Sequence, residues 1–190
     1  MSFSTLVPHS VRLLRHPLPR IVQVNALSTE TKAKRVALHT TMGDIIIELF
    51  PDMPVTAGNF EKLVREGFYD GIIFHRVIRN FMVQAGCPEG TGTGGPGYTI
   101  EDEFVKGHSN ARGTIAMANT GRPNTGGSQF FINLVDNTYL DWDNPSTPYK
   151  HPVFGKVVEG MDIVDAIAMS RTDRNDRPVK EVKITSAEVL

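Results

Sequence analysis

The chain has 190 residues, with 20 Lys plus Arg against 21 Asp plus Glu, and 40% of its residues are hydrophobic. This length and composition predict one globular domain with a short appendage. No apolar run approaches the roughly 20 residues that a membrane-spanning helix needs, and a formal net charge of −1 gives no reason to expect nucleic acid or a membrane as partner.

The first 34 residues differ from the rest in charge. They hold five basic residues and one acidic residue, a balance of +4, which leaves 15 basic against 20 acidic residues, or −5, for residues 35–190. Pro8, Pro17 and Pro19 interrupt any helix there. We therefore predict a basic, mostly disordered N-terminal extension over 1–34 and a folded domain over 35–190. The alternative is an organelle transit peptide, which would need an amphipathic helix that these prolines disfavour.

From residue 35 onward the sequence is typical of short strands separated by Gly and Pro. β-Branched runs over 36–40 and 44–50 predict a hairpin. We expect Thr56 to cap a helix over 57–66 that Gly67 ends, and a second helix over 161–169. Further strands are predicted over 72–78, 81–85, 113–118, 129–134, 153–158 and 180–189. The predicted fold is mainly β, a closed eight-stranded antiparallel barrel capped by two α-helices.

Three weaker motifs predict no site. Residues 90–95 match G-x-G-x-x-G, but Pro96 and Gly97 follow where a dinucleotide-binding helix would begin. Residues 126–130 resemble a nucleophile elbow without its final glycine, so Ser128 is not a candidate nucleophile. The histidines and the single cysteine, Cys87, never adopt a metal-ligand spacing, and no metal or cofactor is implied. A lone cysteine without a partner suits a reducing compartment, so we predict a cytoplasmic protein and keep organelle import as the alternative.

The most informative segment spans residues 74–84. Arg76 stands inside an apolar β-run, where a buried unpaired guanidinium would cost several kcal/mol. It must therefore reach a surface groove or a partner. An arginine in a strand is usually an edge or salt-bridged residue, but Phe81, Met82 and Gln84 follow it closely.

At these residues the sequence resembles the cyclophilins, the cyclosporin-binding family of peptidyl-prolyl cis-trans isomerases. The resemblance covers about residues 36–190. It rests on five ordered motifs: Phe74-His75-Arg76, Phe81-Met82-x-Gln84-x-Gly86, Met117-Ala118-Asn119, the run from Asn124 to Phe131, and Val153-Phe154-Gly155-Lys156-Val157.

The resemblance implies a site as well as an activity. Arg76 would be the catalytic arginine. The residues lining the proline pocket would be Phe81, Met82, Phe131 and Leu140, and those around the substrate backbone Gln84, Ala118, Asn119, Gln129 and His151. The implied partners are proline-containing peptides and unfolded or folding proteins, so the protein would assist folding; we expect a monomer without a cofactor.

The chain departs from the family pattern near the expected drug site. Tyr139 stands where many cyclophilins have the tryptophan that contacts cyclosporin, if Tyr139-Leu140-Asp141 is aligned with Trp-Leu-Asp. Trp142 lies three residues on and leaves that register open. The extra Arg122 and the longer loop over 142–149 leave the placement of His151 open. We expect weakened cyclosporin binding.

A second hypothesis is a non-catalytic module that binds proline segments or acts as a chaperone. Such a module would keep an apolar pocket and lose the charged group. The presence of Arg76 together with Gln84 favours the enzyme.

Overall fold

The computed structural model describes Met1 and residues 33–190. The predicted disordered extension over 1–34 therefore lies almost entirely outside the described residues. Residues 33–190 form eight strands, two α-helices and one 3-10 helix: β1 (Arg35–Thr40), β2 (Gly43–Leu49), α1 (Thr56–Arg65), β3 (Arg76–Ile78), β4 (Met82–Ala85), β5 (Thr114–Met117), β6 (Phe130–Asn133), the 3-10 helix (Thr138–Leu140), β7 (Val153–Glu159), α2 (Met161–Ala168) and β8 (Ile184–Val189).

The strands form one antiparallel sheet in the order β3-β4-β6-β5-β7-β2-β1-β8. The predicted hairpin of β1 and β2 is confirmed. The word closed overstates the barrel, because β3 and β8 share no continuous ladder. The chain before β3 approaches the chain before β8 through one isolated bridge, Ile73 with Lys183, and the Phe74 N–H donates to the Val182 carbonyl at 2.9 Å. The predicted strand over 72–78 accordingly keeps ladder geometry only from Arg76.

Helix α1 begins differently from the prediction. The Thr56 side chain makes no capping hydrogen bond, and its buried hydroxyl has no partner among residues 33–190. The Glu103 carboxylate instead accepts from the N–H groups of Val55, at 3.1 Å, and Thr56, at 2.9 Å. A carboxylate suits this position because the first N–H groups of a helix lack internal partners. Gly67 follows the helix with φ +68°, as predicted.

The two faces of the sheet bury different clusters. Alternate side chains of a strand point to opposite faces, so Val83 joins the main core while its neighbour Met82 joins a second, smaller cluster. The same alternation separates Phe130 from Phe131. Both faces are covered here, which explains the continuous apolar runs in the sequence. Among the described helices, none has the length and apolar character that crossing a bilayer requires.

Candidate active site

One row of side chains crosses four neighbouring strands. In register, Arg76 on β3 pairs with Gln84 on β4, Gln84 with Phe131 on β6, and Phe131 with Ala116 on β5. Residues directly opposite each other on paired strands share a face of the sheet. The register therefore places the predicted arginine two strands from the predicted pocket phenylalanine, with Gln84 between them.

Arg76 is exposed on the edge strand β3. Within residues 33–190 its guanidinium makes no ion pair and no hydrogen bond. The edge position agrees with the structural interpretation of a strand arginine, but a salt-bridged arginine does not agree with these contacts. The charge is available to a bound ligand.

The second cluster forms an apolar pocket on the face that Arg76 shares. Its buried members include Met82, Phe131 and Leu140, three of the residues predicted for the proline pocket, and the fourth, Phe81, packs against them half-buried. The motifs did not indicate five further members or neighbours: Phe50, Ile78, Ala116, Val153 and, as a pocket residue, Ala118. Ala116 could have been found from its position two residues before Ala118 on the same strand face.

Two glutamine side chains are held in one chain of hydrogen bonds. Gln84 Nε2 donates to Gln129 Oε1 at 3.0 Å, and Gln129 Nε2 donates to the carbonyls of Gly92, at 2.9 Å, and Gly94, at 2.8 Å. Because two carbonyls face the Gln129 amide nitrogen, its oxygen must point to Gln84. The glycine-rich loop of residues 90–95 thus orients both amides. It also borders a concave region of about 430 Å³ beside Ala118 and Gln129.

Asn119 presents its backbone rather than its side chain. Its Nδ2 donates to the Lys150 carbonyl at 2.8 Å, and its Oδ1 accepts from the Gly121 N–H at 3.0 Å. The adjacent Ala118 N–H donates to the Gln129 carbonyl at 2.9 Å. The Asn119 N–H and C=O have no partner among residues 33–190, so they are free to pair with an extended peptide.

His151 packs against the pocket as a neutral ring. Its Nδ1 donates to the Met117 carbonyl at 3.0 Å, and its ring meets Phe131 edge to face. Burial lowers the pKa of His151, although the bond to Met117 and the charge of Asp102 act in the opposite direction. The longer loop over 142–149 has therefore not removed this histidine from the predicted site.

Tyr139 lies on the rim of the pocket. It is 47% exposed, and its ring stacks on Phe81 with centroids 6.3 Å apart. Burial raises the pKa of Tyr139, and the charge of Arg76 partly offsets that effect. Trp142 stacks on Phe104 instead, at 5.8 Å. With Leu140 in the pocket, this arrangement favours the register in which Tyr139 occupies the drug-contact position.

The sequence gave no role to His75, which precedes Arg76. Its ring is buried, and neither ring nitrogen has a hydrogen-bond partner among residues 33–190. Burial lowers the pKa of His75 to about 4, and the charges of Arg76 and Arg177 act in the same direction. Ser128 is also buried and donates to the Gly86 carbonyl at 2.7 Å, which leaves it no role as a nucleophile.

Comparison with known proteins decides the family. The family model described as "Cyclophilin type peptidyl-prolyl cis-trans isomerase/CLD" matches residues 35–189. The chain belongs to the cyclophilin family. This cyclophilin is 47% identical over 161 residues to peptidyl-prolyl cis-trans isomerase-like 1 of Gibberella zeae, covering 82% of this chain and 94% of the relative. It is 46% identical over 177 residues to CYP71 of Arabidopsis thaliana, which covers 90% of this chain but only 27% of that longer relative.

Solved structures agree with the assignment. A cyclophilin-type isomerase of Cryptosporidium parvum superposes with a TM-score of 0.76 at 32% identity, covering 83% of this chain and 98% of the other. A second structure of that protein, solved in the presence of the dipeptide Ala-Pro, gives 0.75 at 31% identity, covering 82% and 98%. The predicted family, the mainly β fold and the isomerase activity are confirmed. The non-catalytic alternative finds no support.

Proposed function

We propose that this cyclophilin catalyses rotation about X-Pro bonds with Arg76 as its catalytic residue and the second cluster as its proline pocket. The observation that carries the proposal is the register row in which an exposed, unpaired Arg76 shares one sheet face with Phe131 through Gln84.

The reaction needs neither a nucleophile nor a metal. Amide resonance sets a barrier of about 18 to 20 kcal/mol, and uncatalysed X-Pro bonds exchange in tens to hundreds of seconds. Reaching the millisecond range takes roughly a 10⁴- to 10⁵-fold gain, or about 5 to 7 kcal/mol. Hydrogen bonds and burial can supply a stabilisation of that size without a covalent intermediate.

Arg76 supplies the part that is specific to the transition state. When the peptide bond twists, the prolyl nitrogen regains its lone pair and becomes a hydrogen-bond acceptor. A guanidinium aimed at that nitrogen forms a bond that the planar ground state cannot match, and such charged bonds contribute about 1.5 to 3 kcal/mol. Arginine suits the task because it stays charged and its donors are fixed in a plane.

The other site residues hold the substrate still. The pocket of Met82, Phe131 and Leu140 would receive the prolyl ring and exclude water, which strengthens the bond from Arg76. The backbone of Asn119 would pair with the preceding residue. Gln84, held through Gln129, lies beside Arg76 in the register row and would limit its freedom.

The same geometry supports a proposal about partners. We propose that the substrates are proline-containing peptides and unfolded or folding proteins, in keeping with the Ala-Pro dipeptide present with the C. parvum relative. Cyclosporin would bind with weakened affinity, since Tyr139 occupies the contact position. A monomer that acts in the cytoplasm without nucleic acid stays a prediction.

The decisive experiment measures cis-trans exchange of a proline peptide by NMR magnetisation transfer. Arg76→Ala should lose at least about two orders of magnitude in kcat/KM, equivalent to about 2.7 kcal/mol, while the peptide Kd changes only a few fold. Arg76→Lys should recover little. Arg79→Ala is the matched control, because Arg79 is exposed nearby and donates to the Met169 carbonyl instead. A folded Arg76→Ala protein with near wild-type turnover would overturn the proposal.

A further inference from the structure

A buried network of amide side chains lies beneath the pocket. Asn137, Asn133 and Asn110 are all almost completely buried, with exposures of 2%, 0% and 0%. Asn137 Nδ2 donates to Asn133 Oδ1 at 2.8 Å, and Asn133 Nδ2 donates to Asn110 Oδ1 at 3.3 Å and to Thr114 Oγ1 at 2.9 Å. Burying several amides is justified only when their hydrogen bonds are made, so the network has one defined arrangement.

Asn137 connects this network to both walls of the pocket. Its Nδ2 also donates to the carbonyl of Phe81 at 2.9 Å. Its own carbonyl accepts from the N–H of Leu140 at 2.9 Å, within the short 3-10 helix that it precedes. Its N–H donates to the Asn110 carbonyl at 2.8 Å. One side chain therefore fixes Phe81 relative to the turn that carries Leu140.

Phe81 needs such an anchor because of where it lies. It follows Asn80, which has φ +57°, at the end of the turn between β3 and β4. Its N–H makes only a turn bond, to the Ile78 carbonyl at 3.2 Å, and its carbonyl accepts from the Leu134 N–H at 2.9 Å as well as from Asn137. Leu134 holds Phe81 against β6, and only Asn137 holds it against the 3-10 helix.

We propose that Asn137 is a positioning residue of the isomerase, which sets the separation of Phe81 and Leu140 and so the fit of the prolyl ring. The inference rests on the proposed function, because it concerns the same pocket. Asn137 touches neither the substrate nor Arg76 and acts through the two walls.

The kinetic consequence differs from that of losing Arg76. The pocket grips the prolyl ring in the ground state and the transition state alike, so a loosened pocket weakens both equally. Such a loss raises KM and leaves kcat unchanged. A residue that served stability alone would change neither constant at a temperature where the protein is fully folded.

The test uses the full chain carrying Asn137→Asp. Aspartate keeps the shape of asparagine but, when ionised, offers only acceptors, so it cannot donate to the Phe81 carbonyl. We expect KM and the Kd of an Ala-Pro-containing peptide each to rise about tenfold while kcat stays within about twofold of wild type. Thr114→Val is the matched control. It removes the Thr114 Oγ1 acceptor of Asn133 without touching either pocket wall, and it should lower the denaturation midpoint with KM unchanged.

Two outcomes would overturn the proposal. One is a folded Asn137→Asp protein whose KM and Kd lie within about twofold of wild type. The other is an equal rise of KM in Thr114→Val, which would assign the effect to the stability of the network. If Asn137→Asp does not fold, Asn137→Ser is tested in the same way, since its hydroxyl is too short to span Phe81 and Asn133 together. A wild-type protein without isomerase activity would defeat the proposed function, and the peptide Kd would still test Asn137.

Discussion

The rings of Phe131 and His151 meet edge to face, with centroids 5.2 Å apart and planes inclined by 85°. The bond from His151 Nδ1 to the Met117 carbonyl fixes the histidine ring, and burial lowers its pKa so that the ring is neutral at pH 7. The pocket phenylalanine is thus supported by an uncharged aromatic ring, which suits a site that must receive an apolar prolyl ring.

Phe131→Ala should damage binding and rate together. Phe131 is 4% exposed and belongs to the pocket cluster, so truncation opens a cavity where the prolyl ring would pack. We expect the peptide KM and Kd to rise at least about tenfold, with a stability loss of about 3 kcal/mol. Phe104→Ala, which removes a ring stacked on Trp142, is the control and should leave KM unchanged. Unchanged peptide affinity in Phe131→Ala would place the prolyl ring elsewhere.

Tyr139→Trp should strengthen cyclosporin binding. The tyrosine stacks on Phe81 at the rim but lacks the larger indole and its N–H donor. The expected gain is about 1 to 3 kcal/mol, the scale of one aromatic contact plus one hydrogen bond. Titration of the drug against wild type, Tyr139→Trp and Trp142→Tyr tests the register. Equal affinities for wild type and Tyr139→Trp would mean that Tyr139 does not contact the drug.

Buried His75 should make the protein sensitive to acid. Its pKa is lowered from 6.5 to about 4 in the folded state, so its contribution to stability is complete above pH 6.5 and is lost as the pH falls through about 4. The free energy of unfolding should fall by up to about 3 kcal/mol over this window. Denaturant unfolding at several pH values should show a shallower acid slope for His75→Gln.

His39→Gln is the control for this slope. Hydrogen bonds to Asp44 and Glu188 raise the pKa of exposed His39, so that histidine contributes stability at low pH instead of losing it. Its removal should make the acid slope no shallower. An identical slope in wild type and His75→Gln would show that His75 is not the acid-sensitive group.

The start of α1 offers a test of tertiary capping. Thr56→Val should be neutral or slightly stabilising, because it removes a buried hydroxyl that has no partner in the described part of the chain. Glu103→Ala should cost about 1 kcal/mol, the usual contribution of a cap. Chemical denaturation of both variants measures the difference. A larger loss for Thr56→Val than for Glu103→Ala would restore the threonine as the cap.

Removal of residues 1–33 should leave folding and isomerase activity unchanged. The family match begins at residue 35, and the backbone of Lys34 still accepts the Leu49 N–H at 2.8 Å in a chain that begins there. Thermal unfolding and the exchange assay compare the shortened chain with the full one. A shortened chain that fails to fold would show that the extension is structural.

The sequence predicted most of the fold because strands and helices follow from local patterns. Every predicted strand and both helices occur, with boundary shifts of a few residues except at β3 and β8. Those two strands begin four residues later than expected, at Arg76 and Ile184, since the apolar residues before them continue past the end of regular pairing. Apolar periodicity reports burial, and burial extends beyond the ladder.

The candidate site was predictable in its residue types and less so in its supports. The motif residues Arg76, Gln84 and Phe131 could be named from the sequence, and the register aligns them in one row. The anchoring role of Asn137 could not be named, because its bond to the Phe81 carbonyl joins positions 56 residues apart. A polar residue between two turns has no local pattern that reveals such a partner.

The sequence by itself determined the mainly β class, the strand order along the chain, the family and the chemical groups of the site. These depend on interactions between near neighbours or on motifs in which several residues are adjacent. Only the tertiary structure decided that Glu103 caps α1, that the glycine loop orients Gln129, and that the sheet stops short of full closure. Each of these joins segments far apart in the chain, and a hydrogen bond between distant segments is selected by the packing of the whole domain.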